Sequence, residues 1–103
     1  MKDNTVTPDA IIRVRFKTAE ENGRTSAVEG AFYSCPMFVD GEAFDCRLFL
    51  FGKRLELGEY YDVPIKLLHR EMALSKLVIG KGIVLWEGKD IATGHVVALP
   101  NTE

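Results

Sequence analysis

Four side chains in this sequence have the chemistry of nucleophiles or metal ligands: Cys35, Cys46, His69 and His95. Cysteine catalysis needs a thiolate beside a histidine base that a carboxylate orients, and no signature of a cysteine-enzyme family surrounds either cysteine. A zinc site needs closely spaced ligands of the Cys-x-x-Cys or His-x-x-x-His kind, and the four residues lack that spacing. The sequence therefore predicts neither an enzyme nor a metal site.

The two cysteines are eleven positions apart, so they are expected to face each other across a hairpin. A disulfide between them would need an oxidising compartment. The N-terminal residues are polar and contain no apolar segment of a secretory signal, so we expect a cytoplasmic location with both thiols reduced. Cys35 and Cys46 are then small buried hydrophobic side chains.

A basic stripe is formed by Arg13, Arg15 and Lys17, which alternate with three apolar residues. A period of two places the cations on one face of a strand and the apolar residues on the other. Together with Arg24, just beyond this strand, the stripe has the charge to contact the phosphates of RNA. The alternative is an exposed strand face whose cations pair with Asp or Glu on a neighbouring strand.

An acidic hairpin is predicted in the middle of the chain. It contains the dipeptide Asp40-Gly41, and Glu42 and Asp45 follow closely. Asp-Gly between two apolar strands is a strong signal for a two-residue hairpin. Such a patch has the charge to meet a basic protein, for example a nuclease that binds RNA. The alternative is a hairpin tip that is only solvated.

Aromatic residues are numerous for so short a chain, with six Phe, three Tyr and one Trp. The run over residues 48–51 is apolar on both faces of a predicted strand. Either this run is covered on both sides, or part of it forms a surface for a partner.

Length and composition limit the class of protein. The chain has 103 residues, 47% apolar and 27% charged, which is enough for one folded domain with its own core. No run approaches the roughly 18 apolar residues of a membrane helix, and a net charge of −2 is not typical of an autonomous nucleic-acid binder. We expect a flexible lead over residues 1–9, one domain over residues 10–99 and a polar tail over residues 100–103.

Turn residues divide the domain into short segments with β-type alternation. Residues 69–76 have helix propensity but are too few for a stable helix, so a loop with at most one helical turn is expected there. Gly23 is expected to supply a positive φ in the turn after the first strand. The six predicted strands cover residues 10–18, 31–39, 43–51, 60–68, 77–86 and 91–99. This pattern predicts an all-β barrel or sandwich.

Three segments resemble the C-terminal β-barrel domain of elongation factor Tu. Residues 20–24, Glu-Glu-Asn-Gly-Arg, are similar to the Glu-Glu-Gly-Gly-Arg turn after that domain's first strand. Residues 58–69 resemble the family's strand that begins Gly-Asp and ends Leu-Ile-His, and residues 80–97 resemble its last hairpin. The resemblance covers about residues 10–98 and implies a closed six-stranded antiparallel barrel.

The resemblance also carries functional implications. In the family, this domain contacts the T-arm of aminoacyl-tRNA, and Arg24 and Gly88 keep the residue type at two of those positions, whereas Thr25 replaces a histidine. The Gly-x-x-x-x-Gly-Lys-Ser/Thr run that binds a nucleoside triphosphate does not occur in the chain. No nucleoside triphosphate is therefore expected to bind, and no cofactor is expected.

These observations together predict a small six-stranded antiparallel β-barrel that acts as a non-catalytic binding module, without cofactor, metal or membrane contact. The expected partner is a protein connected with translation or tRNA. Two alternatives stay open: an immunity protein or antitoxin that blocks a tRNA- or RNA-acting toxin, and a domain that binds tRNA or other RNA directly. The predicted contact residues are Arg13, Arg15, Lys17, Arg24 and Gly88 on a basic face, and Asp40, Glu42 and Asp45 at the acidic hairpin.

Overall fold

A computed structural model describes residues 7–99 of the chain. In this range the chain forms eight strands, one α-helix and a single 3-10 turn. The strands are β1 (Ala10–Phe16), β2 (Val28–Glu29), β3 (Phe32–Val39), β4 (Glu42–Phe49), β5 (Arg54–Leu55), β6 (Tyr60–Leu67), β7 (Gly82–Trp86) and β8 (Asp90–Ala98); the helix is α1 (Arg70–Leu74) and the 3-10 turn covers Ala19–Glu21.

Six of the strands close into an antiparallel barrel in the order β1-β6-β4-β3-β7-β8, with β8 pairing back onto β1. This arrangement confirms the predicted six-stranded antiparallel barrel. The short strands β2 and β5 form a separate two-stranded sheet. The predicted hairpin is also confirmed, because Asp40 and Gly41 both have positive φ values, 52° and 82°, and connect β3 to β4.

The barrel interior is filled by the apolar half of each alternating strand. In β1, Ile12, Val14 and Phe16 are completely buried, whereas Arg13 between them is exposed. Burying such an aliphatic or aromatic side chain contributes roughly 1.5–3 kcal/mol. Other large side chains of the core are Met37, Leu48, Leu50, Leu55, Ile65, Leu85 and Ile91.

The connection between β6 and β7 contributes side chains to the core. The predicted single helical turn is present as α1, which buries Ala73, and Leu77 beyond it is also in the core. The strand predicted for residues 77–86 begins only at Gly82, because turns precede it and Gly80 has a φ of 91°. Within residues 7–99, no helix has the length and apolar character needed to span a bilayer.

Asp9 ties the chain just before β1 to the neighbouring strand β6 and to the start of α1. Its side chain is 2% exposed, and its carboxylate accepts hydrogen bonds from the Leu67 N–H and the Arg70 Nε–H, both at 2.8 Å. Its own N–H donates to the Ile65 carbonyl at 2.8 Å. Most of the lead predicted for residues 1–9, namely residues 1–6, and the tail predicted for residues 100–103 lie outside the described residues. Asp9 itself belongs to the packed structure.

Two glycines are required for close backbone approach rather than for a positive φ. The expectation for Gly23 was wrong, because its neighbour Asn22 takes the left-handed φ of 66°. A Cβ on Gly23 would overlap the carbonyl oxygen of Lys17. Gly94 in β8 is similar, because a Cβ there would overlap the carbonyl oxygen of Arg13 and lie 2.9 Å from the Val14 Cα.

The substitution Gly94→Ala should therefore push β8 away from β1 and lower the free energy of unfolding by about 2–3 kcal/mol. Gly82→Ala is the matched control, because its nearest neighbour would be the Gly94 carbonyl oxygen at an ordinary 3.9 Å. Its stability should stay the same or rise by about 0.5 kcal/mol. Urea denaturation followed by circular dichroism measures both. Equal losses in the two variants would contradict this account of the β1–β8 contact.

The substitution Asp9→Asn should lower the free energy of unfolding by about 2 kcal/mol, because it removes the charge from two hydrogen bonds at a buried position. Asp90→Asn, at the exposed start of β8, is the control and should change stability little. Both are compared with the unsubstituted chain by urea denaturation at pH 7. If Asp9→Asn is as stable as Asp90→Asn, Asp9 is not the anchor described above.

Candidate functional site

Arg13 and Arg15 of the basic stripe lie on the outer face of β1, as their spacing predicted, whereas Lys17 follows the end of this strand. The Arg13 guanidinium donates two hydrogen bonds to Asp62 on β6, at 2.7 and 3.0 Å. Arg15 donates to both carboxylate oxygens of Glu21, at 3.0 and 3.2 Å, and to the Gly58 carbonyl at 3.1 Å. Two of the three cations are thus held by carboxylates of the same chain.

These ion pairs change the acidity of the carboxyl groups. Hydrogen bonds from Arg13, and its positive charge, hold the pKa of Asp62 below its ordinary value. The hydrogen bonds from Arg15 lower the pKa of Glu21 in the same way. An RNA phosphate at this face would have to compete with two ionised carboxylates that already occupy the guanidinium groups.

Arg24 and Gly88 come together at the turn between β7 and β8. Arg24 Nη1 donates to Glu87 Oε1 at 2.9 Å, and Gly88 follows Glu87 in the turn with a φ of 74°. The Tyr33 hydroxyl donates to the same Glu87 oxygen at 2.7 Å, and Arg24 lies 5.3 Å from the centroid of the Tyr33 ring. The two positions that the resemblance singles out are therefore neighbours, and Arg24 is also held by a carboxylate.

Sequence reasoning missed both Tyr33 and Glu87 in this cluster. Burial, with the hydrogen bond to Glu87, raises the pKa of Tyr33 well above its ordinary value. The hydroxyl therefore stays protonated and acts as a donor. Glu87 is separated from Tyr33 by 54 positions and from Arg24 by 63, so no local spacing signals the contact.

The acidic hairpin is where its sequence placed it, at the β3–β4 turn, and two of its carboxylates are paired with lysines. Lys81 Nζ lies 3.0 Å from Asp40 Oδ2, and Lys76 Nζ lies 2.6 Å from Glu42 Oε1. Asp45 points outward from β4 and has no ion pair among the described residues. The hairpin is therefore less acidic as a surface than its sequence suggests.

The cysteines face each other in register across β3 and β4, as expected, and both are buried free thiols. The hydrogen-bonded side chain of Cys35, together with burial, raises the pKa of the Cys46 thiol, so this thiol is neutral and a weak nucleophile. His95 lies on β8, three strands away from β4 around the barrel. Within residues 7–99, no three His, Cys, Asp or Glu side chains come together as a metal site would require.

An aromatic groove on the outside of β3, β4 and β6 was not singled out as a site by sequence reasoning. It has a volume of about 550 Å³. Cross-strand pairs place Ser34, Arg47 and Lys66 side by side across it, and Phe32 lies opposite Phe49 at one end. We define the aromatic groove as the depression lined by Ser34, Asp45, Arg47, Phe49, Lys66 and Leu68 and flanked by Phe32 and Phe51.

Three apolar side chains that line or flank the aromatic groove are strongly exposed. Phe32 is 49% exposed, Phe51 is 61% exposed and Leu68 is 68% exposed. The rings of Phe49 and Phe51 stack with their centroids 6.2 Å apart. Of the run over residues 48–51, Leu48 and Leu50 are core, whereas Phe51 faces solvent, so the run is not covered on both sides, and its use as a partner surface stays a prediction.

A strained turn holds Phe51 in this exposed position. Phe51 has a φ of 54° and Gly52 a φ of 82°, and the Lys53 N–H closes the turn on the Leu50 carbonyl at 2.9 Å. Positive φ is unusual for a bulky side chain and costs roughly 1–3 kcal/mol where it occurs. Gly or Asn would fit this position better, so the aromatic ring is kept here against the local conformational preference.

The Arg13–Asp62 ion pair should contribute stability in a pH-dependent way. The pKa of Asp62 is lowered by folding, so the contribution is present above the ordinary aspartate pKa of about 3.9 and is lost as the pH falls through the lowered value. We expect Arg13→Gln to be slightly less stable than the unsubstituted chain at neutral pH, and the difference to vanish once the pH falls below the lowered pKa of Asp62. Urea denaturation across this range measures the difference.

Lys53→Gln serves as the control for this prediction, because Lys53 is exposed and has no carboxylate partner among the described residues. Its stability difference from the unsubstituted chain should not depend on the ionisation of Asp62. A difference for Arg13→Gln that persists unchanged in acid would show that Arg13 acts through packing rather than through its charge.

Two comparisons with known proteins found no related protein. The chain matches no protein-family model, and no curated protein matches it. The resemblance to the elongation factor Tu domain therefore stays a prediction, and a functional conclusion has to rest on the side chains of the barrel itself.

Proposed function

We propose that this barrel is a non-catalytic binding module that docks a protein partner on its aromatic groove, and that the partner belongs to translation or acts on tRNA. The observation that carries the proposal is the exposure of Phe32 and Phe51 beside the groove. Aromatic side chains at protein interfaces supply a large part of the binding energy. Here they are fixed by strand pairing and by a strained turn.

The chemistry of the cysteines favours binding over catalysis. Both thiols are buried, so neither is exposed as a nucleophile is, and the raised pKa of the Cys46 thiol keeps it protonated. A cytoplasmic location belongs to the same proposal, and two free cysteines are compatible with a reducing compartment.

The link to translation and tRNA rests on the sequence resemblance. Its support is indirect: the barrel has the strand number that the resemblance implies, and Arg24 lies against the turn that contains Gly88. A fold hosts many functions, so the class of partner is a proposal that only an experiment on the partner can decide.

The aromatic groove is favoured over the two charged surfaces because most of the charges on those surfaces are already paired. A toxin docking on the acidic hairpin would have to displace Lys76 and Lys81 from Glu42 and Asp40. An RNA docking on the basic stripe would have to displace Asp62 and Glu21. Exposed aromatic rings lose no ion pair when a partner covers them.

Site-specific photo-crosslinking in the native cells tests the proposal. The photoreactive amino acid benzoylphenylalanine replaces Phe51 in one variant and Thr93, exposed on β8, in the control. We expect a discrete protein adduct from position 51 and none from position 93. Mass spectrometry of the adduct should identify a translation factor or a protein that acts on tRNA, and adding Phe32→Ser should reduce its yield.

Other patterns of crosslinking would contradict the proposal in different ways. An adduct that ribonuclease destroys would indicate a domain that binds RNA directly. A protein adduct from benzoylphenylalanine at position 42, and none from position 51, would indicate an immunity protein or antitoxin that uses the acidic hairpin. Circular dichroism of each variant ensures that the barrel is folded in all cases.

A further inference from the structure

Arg47 differs from the other arginines of the chain in its electrostatic surroundings. The chain has six arginines, all within residues 7–99. Five of them have a carboxylate oxygen within hydrogen-bonding distance, at 2.7–3.3 Å. Among the described residues, no carboxylate pairs with Arg47. This unpaired guanidinium lies in the aromatic groove.

The Arg47 side chain is nevertheless positioned by its neighbours. Its Cζ lies 4.4 Å from the centroid of the Phe32 ring, and its Nε donates to the Ser34 hydroxyl at 3.3 Å. A guanidinium held against an aromatic face loses little further freedom when it binds. Both terminal nitrogens have no hydrogen-bond partner among the described residues, so they are free to donate in parallel to one planar anion.

The charges in the aromatic groove favour binding of a single anionic group over binding of a ligand with many anionic groups. Lys66, the other cation in the groove, lies 3.7 Å from the Asp9 carboxylate and donates to the Thr7 carbonyl at 2.9 Å. Asp45 contributes a negative charge to the same lining. A single-stranded nucleic acid carries a row of phosphates and is normally bound by a continuous basic groove. In the aromatic groove its phosphates would meet one unpaired cation, Arg47, and would be repelled by Asp45.

The spacing of the apolar residues indicates how the anionic group is presented. Phe49 is two residues from Arg47 on β4 and therefore about 6.7 Å away along the same face. An extended peptide has the same two-residue repeat, so an apolar side chain two positions from an acidic one would lie over Phe49 while its carboxylate is at Arg47. Phe51, stacked on Phe49, extends the apolar surface beyond this point.

We infer that the aromatic groove binds an extended acidic segment of the partner protein, in which one Asp or Glu side chain pairs with Arg47 and an apolar residue two positions away packs on Phe49 and Phe51. This inference rests on the proposed function, because it names the part of the protein partner that the groove accepts. The carboxylate supplies the charge that Arg47 lacks, and the aromatic rings supply the buried area.

Selection from random dodecapeptides displayed on phage tests this inference on the full chain. We expect the enriched peptides to share an acidic residue with an aromatic residue or Leu two positions away. A synthetic, fluorescently labelled copy of the best peptide is then titrated and its anisotropy measured. Arg47→Gln should weaken its binding about tenfold or more, and so should Gln in place of the acidic residue of the peptide. Combining the two changes should weaken binding little further.

Arg54→Gln is the matched control, because Arg54 is also an exposed arginine but is held by Glu29 and Glu56. It should leave the affinity for the peptide unchanged. Equal losses for Arg47→Gln and Arg54→Gln would indicate a general effect of charge and would overturn the assignment to Arg47. Circular dichroism and urea denaturation establish that each variant is folded.

The remaining outcomes separate this inference from the proposed function. If Phe51→Ser abolishes peptide binding and Arg47→Gln has no effect, the groove is a docking surface but the acidic anchor is wrong. If the double variant Phe32→Ser/Phe51→Ser enriches the same peptides as the unsubstituted chain, the proposed function fails as well. Binding of a labelled uridine heptanucleotide that Arg47→Gln abolishes and that falls steeply with salt would make nucleic acid the occupant and overturn the inference.

Discussion

Closure of the barrel depends on β1, because this strand pairs with β6 along one edge and with β8 along the other. The first strand of the domain thereby joins the middle of the chain to its end. The contact with β8 is possible only because Gly94 has no side chain against the Arg13 backbone. Once the sheet is closed, the alternating apolar residues of the strands fill the interior, and the outward residues are left for function.

The outward residues are distributed unequally around the barrel. Near β1, the charged side chains are matched by carboxylates on neighbouring elements, as Arg13 is by Asp62 and Arg15 by Glu21. Around β4, the outer face carries Phe49 and, in the next turn, Phe51, and Arg47 lies among them without a matching acid in the described residues. Many of the charged side chains are thus neutralised in local ion pairs, whereas the guanidinium of Arg47 beside the aromatic rings is not paired with a carboxylate of the described residues.

The sequence predicted those features that depend on local patterns. Alternation placed Ile12, Val14 and Phe16 inside the barrel, and Asp40-Gly41 marked the β3–β4 turn correctly. Features that depend on contacts between distant parts of the chain were missed, because the alternation of apolar and polar residues along a strand does not determine which strands become neighbours. The capture of Arg24 by Glu87 is one example, and the lack of a carboxylate near Arg47 is another. Both follow from the strand order, which the turn signals do not contain.

The positive φ of Phe51 has a consequence for how this barrel tolerates sequence change. A glycine at this position would relax the turn, and the resulting protein should fold at least as well without its aromatic ring. Selection for stability and selection for binding therefore act in opposite directions at this residue, a stability–function trade-off. Among barrels with a similar sequence, those that keep an aromatic residue at this turn position are then expected to be the ones that bind a partner.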